Sequence, residues 1–177
     1  MTRALVVYES IYGDNQKVAE AIATSLRQQL PTDVINAADA PTAIDDDVSM
    51  LVVGGPNHAM GMPRQSTRES VNKGGDVHID NTAFGLHEWL DVVTLPAGIA
   101  AAAFDTRMEH PKFLVKIDHA SRTEEKLLKQ HGATLVAPAE HFYVADAKGP
   151  LASGEEGRAR QWGIRLAEAL AARTTAR

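Results

Sequence analysis

The residues best placed to do chemistry come early, in Ser10-Ile11-Tyr12-Gly13-Asp14-Asn15, a polar loop with one glycine. An apolar run, Ala4–Tyr8, precedes it. Apolar positions Val18, Ala19, Ile22, Ala23 and Leu26 follow at helical spacing. A strand that feeds a helix through such a loop aims backbone N–H groups and the positive helix end at one point, an arrangement that binds phosphate. The Ser10 and Asn15 side chains could add donors. An ordinary strand-to-helix loop, with Asp14 or Asn15 as the helix cap, explains the spacing equally well. Asp14 speaks against phosphate. A carboxylate aimed at a phosphate costs on the order of 1 kcal/mol or more, and is tolerable only if it turns to water.

A second loop is Gly54-Gly55-Pro56-Asn57-His58-Ala59-Met60-Gly61-Met62. Its glycines suit a backbone that closely approaches a ligand or another chain segment. His58 could contact a bound ring or hold a proton near it, or simply hydrogen-bond its own backbone. Met60 and Met62 offer polarizable thioethers to a flat ring. Arg64, Arg68 and Arg107 could face the same cleft, although a solvated surface position is the plainer expectation for each. The histidines are 58, 78, 87, 110, 119, 131 and 141. No two share a predicted helix face at i, i+4 and no cysteine accompanies them, so no metal site is expected.

Other chemistries are excluded by what is missing. The motifs G-x-G-x-x-G and G-x-x-x-x-G-K-[ST] are absent, which disfavours a classical dinucleotide or triphosphate site. There is no G-x-S-x-G elbow. A phospho-receiver domain needs an aspartate where this chain has Gly54-Gly55. The formal charge of −5 and the scattered Lys and Arg argue against nucleic acid. With no cysteine there are no disulfides, thiolate zinc sites, iron–sulfur ligands or thiol nucleophiles. Ala4–Tyr8 runs straight into Glu9 and is too short for a secretory signal, and no run reaches the length of a membrane span. The expected location is the cytoplasm. The 177 residues, with 44% apolar and 23% charged side chains, suit one globular domain over 1–177.

The elements that must position these loops can be read from pattern and punctuation. A helix is expected from about Asp14 to Leu30, stopped by Pro31, and a strand over 33–37. The connection 38–47 is short, with the acidic run Asp45-Asp46-Asp47, and leaves room only for a stunted crossover. The apolar run 49–54 is a strand. Pro63 suits the first turn of a short helix to about Asn72, broken by Lys73-Gly74-Gly75. The span 64–80 is polar and is expected to be the most mobile. Asp80 or Asn81 can cap a helix carrying Phe84, Leu86, Trp89 and Leu90. For Ala97–Phe104 the alanines favour helix by propensity. Pro96 and Gly98 before it and Asp105-Thr106-Arg107 after it bracket a strand instead. Ser121-Arg122-Thr123-Glu124 reads as a capping box opening a helix with Leu127 and Leu128, closed by Gly132. Thr134–Ala137 starts a fifth strand that can resume over 140–145 after Pro138, with Phe142-Tyr143 as core plus edge strand. Ser153-Gly154-Glu155-Glu156 reads as a second capping box. The last helix carries Ala159, Trp162, Gly163, Leu166, Ala169 and Leu170 on one face, and 173–177 are expected to fray.

Strands alternating with helices imply a parallel sheet covered on both faces. Ligands then sit beyond the carboxyl ends of the strands, where strand order reverses. The loops there are 9–15, 54–62, 104–112 and 144–154. In the order 2-1-3-4-5 the two glycine-marked loops follow neighbouring strands.

Together these segments resemble the flavodoxin-like family over nearly the whole chain. Tyr8 to Ala19 resembles the FMN phosphate loop, nearer the Ser-Met-Tyr-Gly version of the quinone-reductase branch than the Thr-rich loop of electron-carrier flavodoxins. Gly54 to Met62 resembles the loop lining one side of the flavin. Ala103-Phe104-Asp105-Thr106-Arg107, with Lys148-Gly149-Pro150-Leu151, is similar to bacterial single-domain flavodoxin-domain proteins. The resemblance implies a three-layer α/β sandwich with a five-stranded parallel sheet and non-covalent FMN. It places Ser10, Ile11, Tyr12, Gly13 and Asn15 on the phosphate, Asp14 beside them, Pro56, Asn57, His58 and Gly61 along the ring, and Phe104, Asp105 and Arg107 on its far side. Neither flavin loop contains a Trp, which implies weaker binding and a more open ring face. The function implied is redox, either electron transfer with a partner protein or NAD(P)H-dependent reduction of a quinone-like acceptor. The alternative is a flavodoxin fold that has lost FMN and serves as a binding or interaction module.

Overall fold

The computed structural model describes residues 2–57, 61–75, 77–108 and 120–175, with backbone alone at 120 and 121. A parallel sheet runs through it. Its strands are β1 (Arg3–Tyr8), β2 (Thr32–Asn36), β3 (Val48–Pro56), β4 (Ala100–Met108), β5 (Thr134–Leu135) and β6 (Glu140–Val144). The order is β2-β1-β3-β4-β5, with β6 also on β4. The fifth strand is thus broken, as the proline between its halves suggested: Ala100 pairs with Thr134, and Phe104 resumes the ladder with Glu140. The helices are α1 (Asp14–Leu26), α2 (Gln65–Gly74), α3 (Leu86–Val92), α4 (Ala120–Gln130) and α5 (Glu155–Thr175).

Strand alternation sorts the core into two layers. Ala4, Val6 and Tyr8 of β1 join Met50, Val52, Ala102 and Phe104 in a cluster with α1 and α5. Leu5 and Val7 join Leu51, Val53, Ala101 and Ala103 in a second cluster with Leu86, Trp89 and Leu90 of α3 and Leu128 of α4. Strands apolar at every position are what a sheet covered on both faces demands. On the α1/α5 side, Phe104, Phe142 and Trp162 meet edge to face at 6.1–6.5 Å. A Cβ on Gly163 would lie 2.6 Å from the Ile22 carbonyl oxygen, so α1 and α5 pack backbone to backbone there.

The alanine run is a strand, as its brackets indicated, because β3 and the β5/β6 pair claim both its edges. It does not stop at Asp105. β4 continues to Met108 and carries β3 with it to Pro56, in the register Gly55↔Asp105 and Pro56↔Thr106. The charges are tolerated inside the sheet because Asp105 and Arg107 lie two apart on one face and pair with each other. The 38–47 crossover holds no helix. It buries Ala40 and Ile44 and exchanges backbone hydrogen bonds between Thr42, Ile44 and Thr94.

Several caps differ from expectation. α1 ends at Leu26, and 27–30 form a turn rather than a fourth helical turn. In the polar span 64–80, the Asn72 amide brackets the backbone of Ile79 through both its oxygen and its nitrogen. Asn81 accepts from the Ala83 and Phe84 N–H groups, one turn ahead of α3, whose first turn is closed by Glu88 reaching back to the Gly85 N–H. Ser121 lies inside α4 rather than before it, and Glu124 is fully buried with neither carboxyl oxygen hydrogen-bonded, so Glu124 does not close the expected capping box. Gly154 (φ +86) precedes α5, and Glu155 accepts from the Tyr143 N–H, in place of a box led by Ser153. Residues 173–175 stay helical, with Arg173 donating to the Gly98 carbonyl at 2.5 Å. Among the described residues no helix is long and apolar enough to cross a membrane.

Candidate functional site

At the carboxyl edge of the sheet, the loop after β1 is shaped by a single backbone inversion. Gly13 takes φ +94, a conformation in which side chains other than glycine's are strained, and its N–H donates to Ser10 Oγ at 3.0 Å. Gly13 is also the N-cap of α1. It supplies no capping side chain, and a Cβ there would meet nothing within 4 Å. No side chain caps the first turn, so its N–H groups stand uncapped at the positive end of the helix dipole, which is the geometry of an anion site.

Asp14 resolves differently from expectation. It does not reach water; it is 6% exposed. Its Oδ1 accepts from the Leu151 N–H at 3.0 Å, Lys17 Nζ stands 3.8 Å away, and a Cβ on Gly149 (φ +90) would lie 2.3 Å from Oδ2. The carboxylate fastens the β6–α5 loop to the start of α1 and is satisfied there.

Asn15 is 2% exposed and points inward. Its Nδ2 donates to Thr106 Oγ1 at 2.9 Å, and the Thr106 carbonyl accepts from the Asn57 N–H at 2.9 Å. Thr106 on β4 thus ties the first loop to the second. The side-chain oxygens of Asn15 and Asn57 are buried without a hydrogen-bond partner. Pro56 ends β3, and Gly61 has open space where a Cβ would be. Ile11 is buried, while Ser10, Tyr12 and Gly13 are partly exposed. An uncapped helix end, an open glycine and two orphaned amide oxygens fit a phosphorylated ligand that also carries hydroxyl or N–H groups. A groove of ≈ 380 Å³ between α1 and α5 touches this site only at Gly13.

The third segment does not form a ring wall. Phe104 is fully buried among Phe142 and Trp162, and its ring fills the space a Cβ on Gly54 would need. Asp105 is fully buried too. Arg107 grips it with Nε–Oδ1 2.9 Å and Nη2–Oδ2 2.5 Å, and His141 Nδ1 stands 3.1 Å from its Oδ1. The physical reason is the length of β4, which keeps these side chains inside the sandwich. His58 and Met60 lie outside the described residues, while Met62 is buried in the α3-side core.

Arg68 and Arg107, expected at the surface, are 1% and 8% exposed. Arg68 of α2 reaches Glu9 at 3.0 Å, bonds Glu88 of α3, and donates to the Thr82 carbonyl. Glu9 also accepts from the Leu86 N–H at 2.8 Å. Burial still outweighs Arg68 and raises the Glu9 carboxyl. Burial alone would raise Asp105, but hydrogen bonds from His141 and Arg107 hold it below the ordinary range. Glu9, Glu124 and His141 go unread in the sequence as site neighbours, whereas Arg68 is weighed there for the cleft against a surface position. The one sequence signal for Glu9 is its place in alternation with Leu5 and Val7 on the α3 side. Among the described residues no cluster of three or more His, Asp or Glu could hold a metal.

No protein-family model matches the sequence, and no curated protein matches it. Solved structures do. A flavodoxin from the domain Archaea is similar at TM-score 0.61 and 18% identity, covering 96% of this chain and 99% of that one. Flavodoxin 1 from Bacillus cereus gives TM-score 0.64 at 17% identity, covering 94% and 98%. A WrbA-like flavodoxin from Agrobacterium tumefaciens gives 0.58 at 18%, covering 97% and 99%. At such identities the likeness is one of fold. Sheet order, helix placement and these neighbours agree: the chain has the flavodoxin-like fold.

Proposed function

We propose that this chain is an FMN-binding redox protein. The observation that carries the reading is the uncapped, glycine-opened N-terminus of α1, beyond β1 and beside β3, where the order β2-β1-β3 reverses the sequence progression. FMN, when bound, supplies the electron chemistry. The chain supplies position. Backbone N–H groups of the Ser10–Asn15 loop hold the phosphate. Pro56, Asn57 and Gly61 line the ring. Thr106 keeps the two loops in register by bonding Asn15 and the Asn57 backbone. Asp14 accepts from the Leu151 N–H, which holds its carboxylate against the β6–α5 loop.

The test is direct. Purified protein is titrated with FMN while flavin fluorescence and the visible spectrum are followed. Quenching that saturates at one flavin per chain is expected. Absence of quenching refutes the reading and leaves a flavodoxin fold serving as a binding module. Stopped-flow mixing of the loaded protein with NADPH then separates two electron sources. Direct reduction marks an NAD(P)H-dependent reductase of a quinone-like acceptor. Reduction only through an added reductase marks a carrier serving partner proteins.

A further inference from the structure

Glu124 is the buried group that this reading leaves unused. It lies in α4 and is fully buried, and neither carboxyl oxygen has a hydrogen-bond partner. Its neighbours are mostly of its own sign: Asp105 on β4, Glu9 just after β1 and Glu125 on α4, with Arg107 the opposing charge. Arg107 is already committed to Asp105, and Arg68 to Glu9 and Glu88. An ionised carboxylate without hydrogen bonds, out of water and facing two other carboxylates, is not sustainable, so the side chain is neutral. Burial and these carboxylates push its carboxyl well up from the ordinary value.

Bonded to the same Asp105 and Arg107 is a group with access to solvent. The His141 side chain is 36% exposed, and its Nδ1 lies 2.8 Å from Arg107 Nη2 and 3.1 Å from Asp105 Oδ1. A bare Nδ1 accepts from Arg107. A protonated Nδ1 donates to Asp105. One nitrogen thus sits between a donor and an acceptor, and its proton decides which it bonds. The cluster lies directly under the two ligand loops, since Glu9 leads into the first and Asp105 pairs in register with Gly55 of the second.

We propose that Glu124, Asp105, Arg107 and His141 form a proton-exchange site that balances charge arriving at the adjoining loops. Glu124 holds a proton in the interior, and the partly exposed His141 side chain bonds Asp105 and Arg107 at the solvent side of the cluster. When an electron arrives from the partner protein or NAD(P)H, the added negative charge favours the protonated cluster. At pH values where Glu124 has begun to ionise, it takes that proton back from solvent, so the net charge of the region changes by less than one unit. Glu124 and His141 act through the field they set and do not touch the reacting atoms. The coupling rests on the FMN reading; the location of the proton does not.

The experiment uses the full chain, with and without FMN, as wild type and Glu124→Gln. Infrared spectra at neutral pH should show a protonated carboxyl stretch that shifts in heavy water and vanishes in the variant. The midpoint potential of the FMN-loaded protein should depend less steeply on pH in the variant across the range where that stretch titrates. Absence of the stretch in wild type overturns the proposal, and so do identical pH slopes. If FMN does not bind, the cofactor reading and the coupling fail together, while the infrared band still decides where the proton is. Glu124→Leu carries the same comparison if the glutamine variant does not fold.

Discussion

Replacing Arg68 by methionine probes the buried charge network most sharply. The Arg68 side chain is 2% exposed and that of Glu9 7%. Methionine keeps much of the volume and removes the guanidinium, leaving Glu9 with the Leu86 N–H as its remaining bond. Breaking a buried pair by deleting one partner costs about 3–5 kcal/mol, a large share of the ~5–15 kcal/mol that holds a domain together. Glu88, one-quarter exposed, can turn to water and adds little. The double variant Glu9→Gln/Arg68→Met no longer contains a stranded carboxylate. It should be more stable than the sum of the two single effects by roughly 1–3 kcal/mol. Urea unfolding at constant slope measures all four corners of the cycle. The sign of the pH dependence is fixed as well. Burial already raises Glu9 in the intact protein, and without Arg68 it rises further. The native state of Arg68→Met therefore binds a proton that the unfolded chain has lost, and its deficit grows as pH rises above the ordinary carboxyl range. A loss under about 1 kcal/mol, or single effects that add within ~0.5 kcal/mol, would refute the argument.

Asp14→Asn keeps an oxygen for the Leu151 N–H and removes a charge from the first turn of α1. FMN should bind up to about fivefold tighter, on the order of 1 kcal/mol, and unchanged affinity in a fluorescence titration would mean that the carboxylate is not felt at the phosphate. Wild-type stability should decline with rising pH from the ordinary carboxyl range up to the raised native value of Glu124, at up to about 1.4 kcal/mol per pH unit, because the native state holds a proton the unfolded chain releases. Denaturation curves of Glu124→Gln should lack that decline, and parallel pH profiles would contradict it. Gly163→Ala forces a Cβ to within 2.6 Å of the Ile22 carbonyl oxygen, so α1 and α5 must separate. The expected cost is about 1–3 kcal/mol, read as a lower urea midpoint, and a neutral result would show that the two helices have slack.

The amino-acid sequence alone determined the alternation of elements, the strand order expected from it, and the two glycine-marked loops at neighbouring strand ends. These are legible because burial on both faces writes continuous apolar runs, helical faces repeat at three and four, and Gly13 marks a backbone that turns left-handed. The tertiary structure decided which charges are inside. Nothing local distinguishes Arg68 on a polar helix from a surface arginine; it is buried because Glu9 and Glu88 from two other elements converge on it. Asp105-Thr106-Arg107 looked like the end of a strand, since polar residues usually are, yet His141 on the neighbouring β6 and Asn15 on α1 satisfy them. Ser121 to Glu124 matched a cap by spacing, but packing against β4 turned Glu124 into the core. For the same reason, Asp14's turn toward Leu151 could not be read from the loop that contains it: the hydrogen bond closes across 137 positions of chain.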